Sequence, residues 1–595
     1  MERLARTDSS RAPVTPSGRP PAVRTVRRAS GHGGRYERSA SLFLHHHSDR
    51  MKRDLDRLAS GSFDLLVLGG GMLGAFVARN AARRGLETAL LEKDDFAAGA
   101  SGNNLKIVHG GLRHLGRLRL RSARRSSRAR AAWLREAPHL VEPLPVLVPG
   151  GPEGSPSTPA LHAGAWAERL VLPDRNRSVP DGRRLPSPRV VGPKRVQESA
   201  PVLEALPIDR ALLFHDGLTY RTERVVIEAL EDATEHGCAV ANYLEAVGSL
   251  SAGSGKTRGI EARDWQTGDE LSVRGRVVVN ASGASAGEVA RRLGISPVEP
   301  GGLALGVNLV LDPIGLDAAV ALPTPASLSG TPTRGETRHL FLVPWRGRTL
   351  VGTAYRTMGS ESLVSPASPQ EGDSLSTAED ELAESLLDEL EEALGGWKPA
   401  PGAIRHVHSA LLPLGDDGSL LLEPRCSTGR MGGEVPVLTA RTEKFTTAPR
   451  LARRCVDWAF RRLGYRRPPR GGEGPLPGGV DWSRDLLERA TEAAPPALDR
   501  DIVEHLCRVF GTRWADVCSR RHEGETADRR VVGREPVILG QFRIGIRREM
   551  ALTPDDLLAR RTELEERGLA GPAARRAAVR AFEETDLRRD GGEAT

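Results

Sequence analysis

FDLLVLGGGMLGAFVARNAARRGLETALLEK, residues 63–93, has the order strand, glycine turn, helix, strand. Leu65 to Leu68 form a short apolar run bounded by turn signals, the pattern of a strand buried on both faces of a parallel sheet. Ala75 to Arg84 are predicted to continue as a helix, with Gly85 at its C′ position, and Leu90 and Leu91 close a β-α-β unit. Gly69, Gly71 and Gly74 satisfy G-x-G-x-x-G in that context. The first glycine permits the tight turn, the second lets a pyrophosphate approach the backbone, and the third allows close packing of helix on strand. Free N–H groups at the helix start meet the phosphates. Glu92 ends the second strand, where a carboxylate accepts from a ribose hydroxyl. The segment therefore predicts an α/β fold that binds a dinucleotide, and by itself does not separate NAD from FAD.

The chain has 595 residues and a formal charge of +8. At roughly 100 to 200 residues per domain, that length allows two to four domains. The charge raises the question of nucleic acid. Its distribution answers it: residues 1–60 hold 13 basic and 6 acidic side chains, leaving 72 against 71 in all the rest. No nucleic-acid partner is expected. The five cysteines are scattered without C-x-x-C spacing, which argues against a disulfide framework or a zinc ribbon and fits a reducing, cytoplasmic compartment. No stretch approaches the ~18 to 20 apolar residues of a spanning helix. His406 and His408 alternate without a carboxylate or cysteine at ligand spacing, so no metal is expected.

Along the chain, residues 1–60 are Arg-, Ser- and Pro-rich and read as a disordered basic leader, although Met51 also reads as a natural bacterial start. Residues 61–460 read as the dinucleotide domain, with substrate-side segments near 140–215 and 300–410. Leu340 to Val343 and Thr349 to Val351 read as a hairpin around Arg346 and Gly347. Residues 376–394 read as an amphipathic helix, with Ser376 and Glu379 at capping-box spacing, a leucine every fourth residue from Leu382 to Leu394, and Gly395 and Gly396 as its stop. Residues 461–490 read as a linker and 491–595 as a C-terminal helical domain, where Thr553 is the N-cap of a helix with Pro554 at N1.

The residues after Glu92 point to a family. KDDFAAGASGNNLKIVHGGLRHL (93–115) and APHLVEPLPVLVP (137–149) resemble the FAD-dependent glycerol-3-phosphate dehydrogenase family, with its run K-L-I-H-G-G-L-R-Y-L. VVVNASG (277–283) resembles the strand that returns to the flavin, and FLVPWRGRTLVGTAY (341–355) the family's P-W hairpin. EKFTTAPRLARRCVD (443–457) resembles its G-G-K helix start, and REMALTPDDLLARRTEL (548–564) its C-terminal helical domain. The resemblance implies an FAD-binding Rossmann-like domain interleaved with a mostly antiparallel substrate sheet, followed by an all-α domain. It implies FAD contacts at Gly69, Gly71, Gly74, Glu92, Ser101, Lys106, His109, Gly110 and Gly111, with the last three near the isoalloxazine. It also implies oxidation of an alcohol by hydride transfer to flavin N5, with electrons leaving to a quinone or another acceptor during peripheral docking at the inner face of the cell membrane.

On the substrate side Arg113 and Lys444 match the family, and Arg425 falls about where another phosphate-binding arginine would. Other positions depart from it. Asn308 stands at a family histidine and cannot act as a base, Leu412 stands at a clamp arginine, and His114 replaces a tyrosine. Three readings stay open. The chain oxidises glycerol 3-phosphate with His114 or His408 as base; or it acts on another polyol or hydroxy acid; or it binds flavin without turnover as an interaction partner. The segment from Arg113 to Arg130 holds eight arginines and no acid, and lacks the interleaved aromatics of a nucleic-acid stacking surface. It reads as a solvated helix face or an attractor of anionic membrane or substrate.

Overall fold

The computed structural model describes residues 51–151, 155–251, 257–297, 302–323, 338–359, 369–421, 423–442, 444–496, 498–518 and 527–590. The opening unit consists of strand Ser62–Leu68, helix Met72–Arg83 and strand Thr88–Leu91. Leu65 and Val67 pack with the helix, while Leu66 and Leu68 pack into a second apolar cluster on the other face of the sheet. Burial on both faces is why this strand is a continuous apolar run.

Five strands lie parallel side by side, in the order Val435–Arg441, Glu270–Asn280, Ser62–Leu68, Thr88–Leu91, Ala239–Ala241. The second sheet is mostly antiparallel. Leu303–Leu311 lies between Ile404–Pro413 and Arg348–Met358, and Val141–Gly150 pairs with Arg210–Thr219. Because the first sheet takes strands from both before and after the second, the two are interleaved in sequence, as expected.

The hairpin joins His339–Trp345 to Arg348–Met358 through Arg346 and Gly347, at φ 51° and 69°. A two-residue loop with both residues left-handed matches the twist of the strands, and Gly347 carries no penalty there. Arg346 does, and it is held by a 2.6 Å ion pair with Glu563 while its guanidinium lies 4.0 Å from the centre of the Tyr220 ring. The acidic helix runs Pro369–Ala393, so Ser376 lies within it and caps nothing. Leu382, Leu386, Leu390 and Leu394 are buried against the second sheet, and Gly395 and Gly396 follow at φ 64° and 94°.

Two boundaries differ from expectation. The basic leader was expected to reach residue 60, yet residues 51–60 are folded, and positions 1–50 lie outside the described residues. Asp54 caps the helix Leu55–Ser60, and Arg53 donates to Asp264 at 2.6 Å and to the Asn242 carbonyl at 3.0 Å. Composition missed this because the segment is ordered by partners some 200 residues away. Residues 463–485, within the expected linker, contain only the short turn Pro477–Gly479 but are tied down: Arg79 donates to the carbonyls of Gly474 and Pro475, and Gly478 N donates to Glu228.

The C-terminal region is helical, with Leu486–Ala493, Arg500–Phe510, Leu539–Arg548 and Pro572–Asp590 as its longer elements. Thr553 Oγ1 accepts from Asp556 N at 3.2 Å, the expected cap. The next turn, Asp556–Arg561, is a wide π-helix. Its end carries charge into the body. Arg561 makes two hydrogen bonds to Asp95 (2.7 and 2.9 Å), and Glu563 meets Arg346, with Arg221 at 4.0 Å and His505 at 3.9 Å.

Burial alone would raise the Glu563 carboxyl, but Arg346, His505 and Arg221 outweigh it and hold it at about 2, against an ordinary 4.5. Its linkage contribution is fully present above pH 4.5 and is lost as pH falls toward 2, about 3 kcal/mol in all. Glu563→Gln is expected to destabilise the neutral-pH protein by about 3–5 kcal/mol, because it strands the Arg346 charge. Urea unfolding of both proteins across that pH range should show the difference shrinking as the medium is acidified.

Candidate functional site

A cavity of about 480 Å³ opens between the carboxyl ends of the parallel strands and the antiparallel sheet. Gly69, Gly71, Glu92 and Ser101 line one part of it, and Asn308, Thr353, Tyr355, Leu412 and Lys444 line another. The first part is the amino terminus of helix Met72–Arg83, where backbone N–H groups and the helix dipole favour an anion. Gly69 is left-handed at φ 105°. A Cβ on Gly74 would stand 1.8 Å from the Gly69 carbonyl oxygen, so the third glycine serves packing, as expected. A Cβ on Gly71 would project to 2.9 Å from Ser101 Oγ, which accepts from Met72 N at 2.8 Å. Glu92 accepts from Gly70 N and Asp94 N, and burial pushes its carboxyl up.

Several expected residues stand elsewhere. Lys106 was expected at the pyrophosphate, but its side chain is wholly buried away from the cavity, and Nζ lies 2.7 Å from Glu223 and 2.6 Å from Glu566. A left-handed backbone (φ 58°) turns it out of line with its cavity-lining neighbours Leu105 and Ile107. Gly110 and Gly111 were expected against the flavin ring; a Cβ on them would instead strike Arg130 Nη1 at 2.0 Å and Ser126 Cβ at 2.7 Å. They are small because the helix Leu120–Glu136 packs over them.

His114 is buried in the short helix Leu112–Gly116 and does not line the cavity, so it is not placed to act as the base. Arg425 is on the surface, paired with Asp416, and is likewise away from the cavity. The side chain of Arg113 lies outside the described residues. Lys444 does line the cavity, just before the turn Phe445–Thr447. His408 is fully buried behind it, where burial holds the ring well below its ordinary pKa.

His109 lines the cavity, partly exposed, and its Nδ1 lies 3.3 Å from Asp216 Oδ2. Asp216 Oδ1 also accepts from Gly110 N (2.7 Å) and Arg130 Nη1 (2.8 Å). Burial would raise the Asp216 carboxyl, but His109, Arg130 and the Gly110 N–H hold it below its ordinary value, so it is ionised. Sequence reading overlooked Asp216 and Arg130. The available signal was an acid inside the otherwise apolar strand run ALLFHDGLT, since a buried carboxylate on a strand requires partners.

Residues 64–458 match the family model described as FAD dependent oxidoreductase. The chain belongs to that family. In this oxidoreductase, residues 472–585 match a second model, the C-terminal domain of alpha-glycerophosphate oxidase. It is 30% identical over 539 residues to glycerol-3-phosphate dehydrogenase 1 of Mycobacterium bovis, covering 87% of this chain and 94% of that one. It is 27% identical over 529 residues to the glycerol-3-phosphate dehydrogenase of a Synechocystis strain, covering 86% and 90%. The fold is shared with the glycerol-3-phosphate dehydrogenase of Bacillus halodurans complexed with FAD, at a TM-score of 0.66 and 22% identity, covering 90% and 97%.

FAD is the cofactor of this family, and the cavity fits it. The side-chain-free surface at Gly69 and Gly71 leaves the helix terminus open to a pyrophosphate, Glu92 offers a ribose acceptor, and the cavity continues from there to the substrate sheet. Gly71→Val fills the space between the helix terminus and Ser101. The purified variant is expected to fold, by circular dichroism, yet to lose the yellow flavin spectrum; a folded variant that keeps stoichiometric FAD would refute this placement.

Proposed function

We propose that the protein oxidises the secondary alcohol of glycerol 3-phosphate, the compound in the names of its relatives, to the ketone. The observation that carries this reading is the pair His109–Asp216 on the cavity that Lys444 also lines. FAD, when bound, supplies the hydride acceptor. The rest is the work of the chain. Asp216 engages Nδ1, so Nε2 of His109 is the nitrogen left to take the hydroxyl proton, and the ionised carboxylate stabilises the resulting imidazolium. Thr353 Oγ1 donates to Asn308 Oδ1 at 2.6 Å, which fixes the amide and leaves its NH2 as a donor to a substrate oxygen. Lys444 attracts the anionic end.

Leu411 and Leu412 in the same wall favour a second reading, a less highly charged polyol or hydroxy acid. Anaerobic titration of the purified flavoprotein separates the two: bleaching by glycerol 3-phosphate supports the first, bleaching by another alcohol the second, and none across a broad panel sinks both and leaves flavin binding without turnover. In the active case His109→Gln and Asp216→Asn should each lower the rate of anaerobic flavin bleaching, measured per bound flavin, about 10²–10⁴-fold.

We further propose a peripheral bilayer contact at the inner face of the cell membrane, where reduced flavin can pass electrons to a quinone. No described helix is long and apolar enough to cross a membrane. Leu118 (84% exposed), Leu120, Trp166 and Leu170 (71%) project from adjoining helical segments that share a small apolar cluster, beside exposed Arg119, Arg121, Arg124 and Arg128. Apolar anchors ringed by cations suit an anionic interface. The protein should cosediment with anionic vesicles and not with zwitterionic ones, less so at high salt, and Leu118→Asp with Trp166→Glu should abolish the association.

A further inference from the structure

The fold brings together two of the five cysteines, which the sequence leaves scattered. Cys426 lies on strand Arg425–Met431, opposite Ala440 of the neighbouring strand Val435–Arg441. Cys455 lies in helix Ala448–Arg462 and shares one buried apolar cluster with Ala440. Cys426 packs against that same cluster, so both side chains stand on one face of the sheet, and the two thiols hydrogen-bond to each other. Cys455 is wholly buried there, whereas Cys426 is only half-buried and can be reached by a small solute.

The two sulfurs are not equivalent. The hydrogen bond to Cys426, and then burial, push the Cys455 thiol well above its ordinary range, while the Arg454 cation acts in the opposite direction. Cys455 therefore keeps its proton and donates it, and Cys426 is the sulfur that accepts. The thiolate is the nucleophilic form of cysteine, and an S–H donor with a guanidinium near the pair favours it at the more exposed member. The other three cysteines offer no such centre. Cys238, Cys507 and Cys518 are buried, and burial pushes each thiol up to about 12, so they stay protonated at neutral pH.

We propose that Cys426 and Cys455 form a peroxide-reactive dithiol site that closes to a disulfide. The Cys426 sulfur attacks one oxygen of hydrogen peroxide, the O–O bond breaks, and the other oxygen leaves as water with the thiol proton, so that Cys426 becomes a sulfenic acid. The Cys455 sulfur then attacks the Cys426 sulfur, the S–O bond breaks, and the hydroxyl leaves as a second water with the Cys455 proton. The two thiols lose two electrons and the peroxide gains them. In a reducing compartment such a bond is transient and redox-sensing. The stretch it encloses includes Ala440, Thr442, Lys444, Phe445 and Thr446, all on the cavity wall, so closing it fastens that wall around FAD. The site requires neither the proposed substrate nor turnover.

Holoenzyme treated with hydrogen peroxide, quenched in acid and alkylated after unfolding should lose two of its five thiols and recover both with dithiothreitol. Non-reducing peptide mapping should join the peptide holding Cys426 to the one holding Cys455. Cys455→Ala should stop at a sulfenic acid on Cys426, trapped by dimedone, and Cys426→Ser should lose no thiol at all. In urea the peroxide-treated parent should release FAD at least about threefold more slowly than the reduced parent, because the closed loop restricts the opened state, and Cys426→Ser should show no such difference. Retention of all five thiols, a disulfide between Cys507 and Cys518 instead, or oxidation of the parent confined to Cys426 would each overturn the site. Equal rates of flavin release would overturn the fastening of the wall. If Cys455→Ala does not fold, the parent's peptide map and Cys426→Ser decide alone.

Discussion

The carbonyl oxygen of Gly69 leaves no room for a side chain at position 74, and that contact sets how closely the helix Met72–Arg83 lies against the strand Ser62–Leu68. The approach carries the amino terminus of the helix to the carboxyl ends of the parallel strands. The N–H groups there open into the cavity, and Glu92 arrives at its edge from the next strand. A larger residue at 74 would push the helix outward and take the anion-binding terminus with it. The substrate sheet has to close over this fixed point, and it does so by contributing strands from segments that leave the first sheet and return to it.

Buried charge joins the parts that apolar packing alone would leave free to slide. Asp95, just beyond the second strand of the nucleotide unit, is gripped by Arg560 and Arg561. Glu563 holds the strained tip of the Arg346 hairpin, and Glu566 reaches Lys106. All these C-terminal residues lie between Arg560 and Glu566, so one short stretch fastens the cofactor loop and the substrate hairpin together. Such pairs are weak as net stabilisers, yet removing one partner is costly, and that makes them good determinants of a unique arrangement.

The nucleotide half was legible because its chemistry is local. A tight turn, a close phosphate approach and a close helix contact each demand glycine, and the three demands fall within the short stretch from Gly69 to Gly74. The motif order likewise carried the family and the interleaved α/β architecture, with its helical C-terminal part. Reading went astray where a residue's role depends on what packs over it. Gly110 and Gly111 suggested a flavin face; neither lines the cavity, and Arg130 and Ser126 stand on the side where their Cβ atoms would be. Lys106 suggested a phosphate ligand, but its left-handed backbone and two distant carboxylates turn it into the interior. Residues 51–60 had the composition of a free leader and are folded through Asp264 and Asn242.

The sequence by itself therefore determined the cofactor-binding unit, since spacing within a turn and a helix is covalent and short-range. The tertiary structure alone decided the substrate-side constellation. His109 and Asp216 are separated by 107 positions, and His408 and Asn103 by 305. No periodicity links such residues. They become neighbours only when the antiparallel strands register beside the cofactor loop, and only then does an imidazole acquire the carboxylate that orients it.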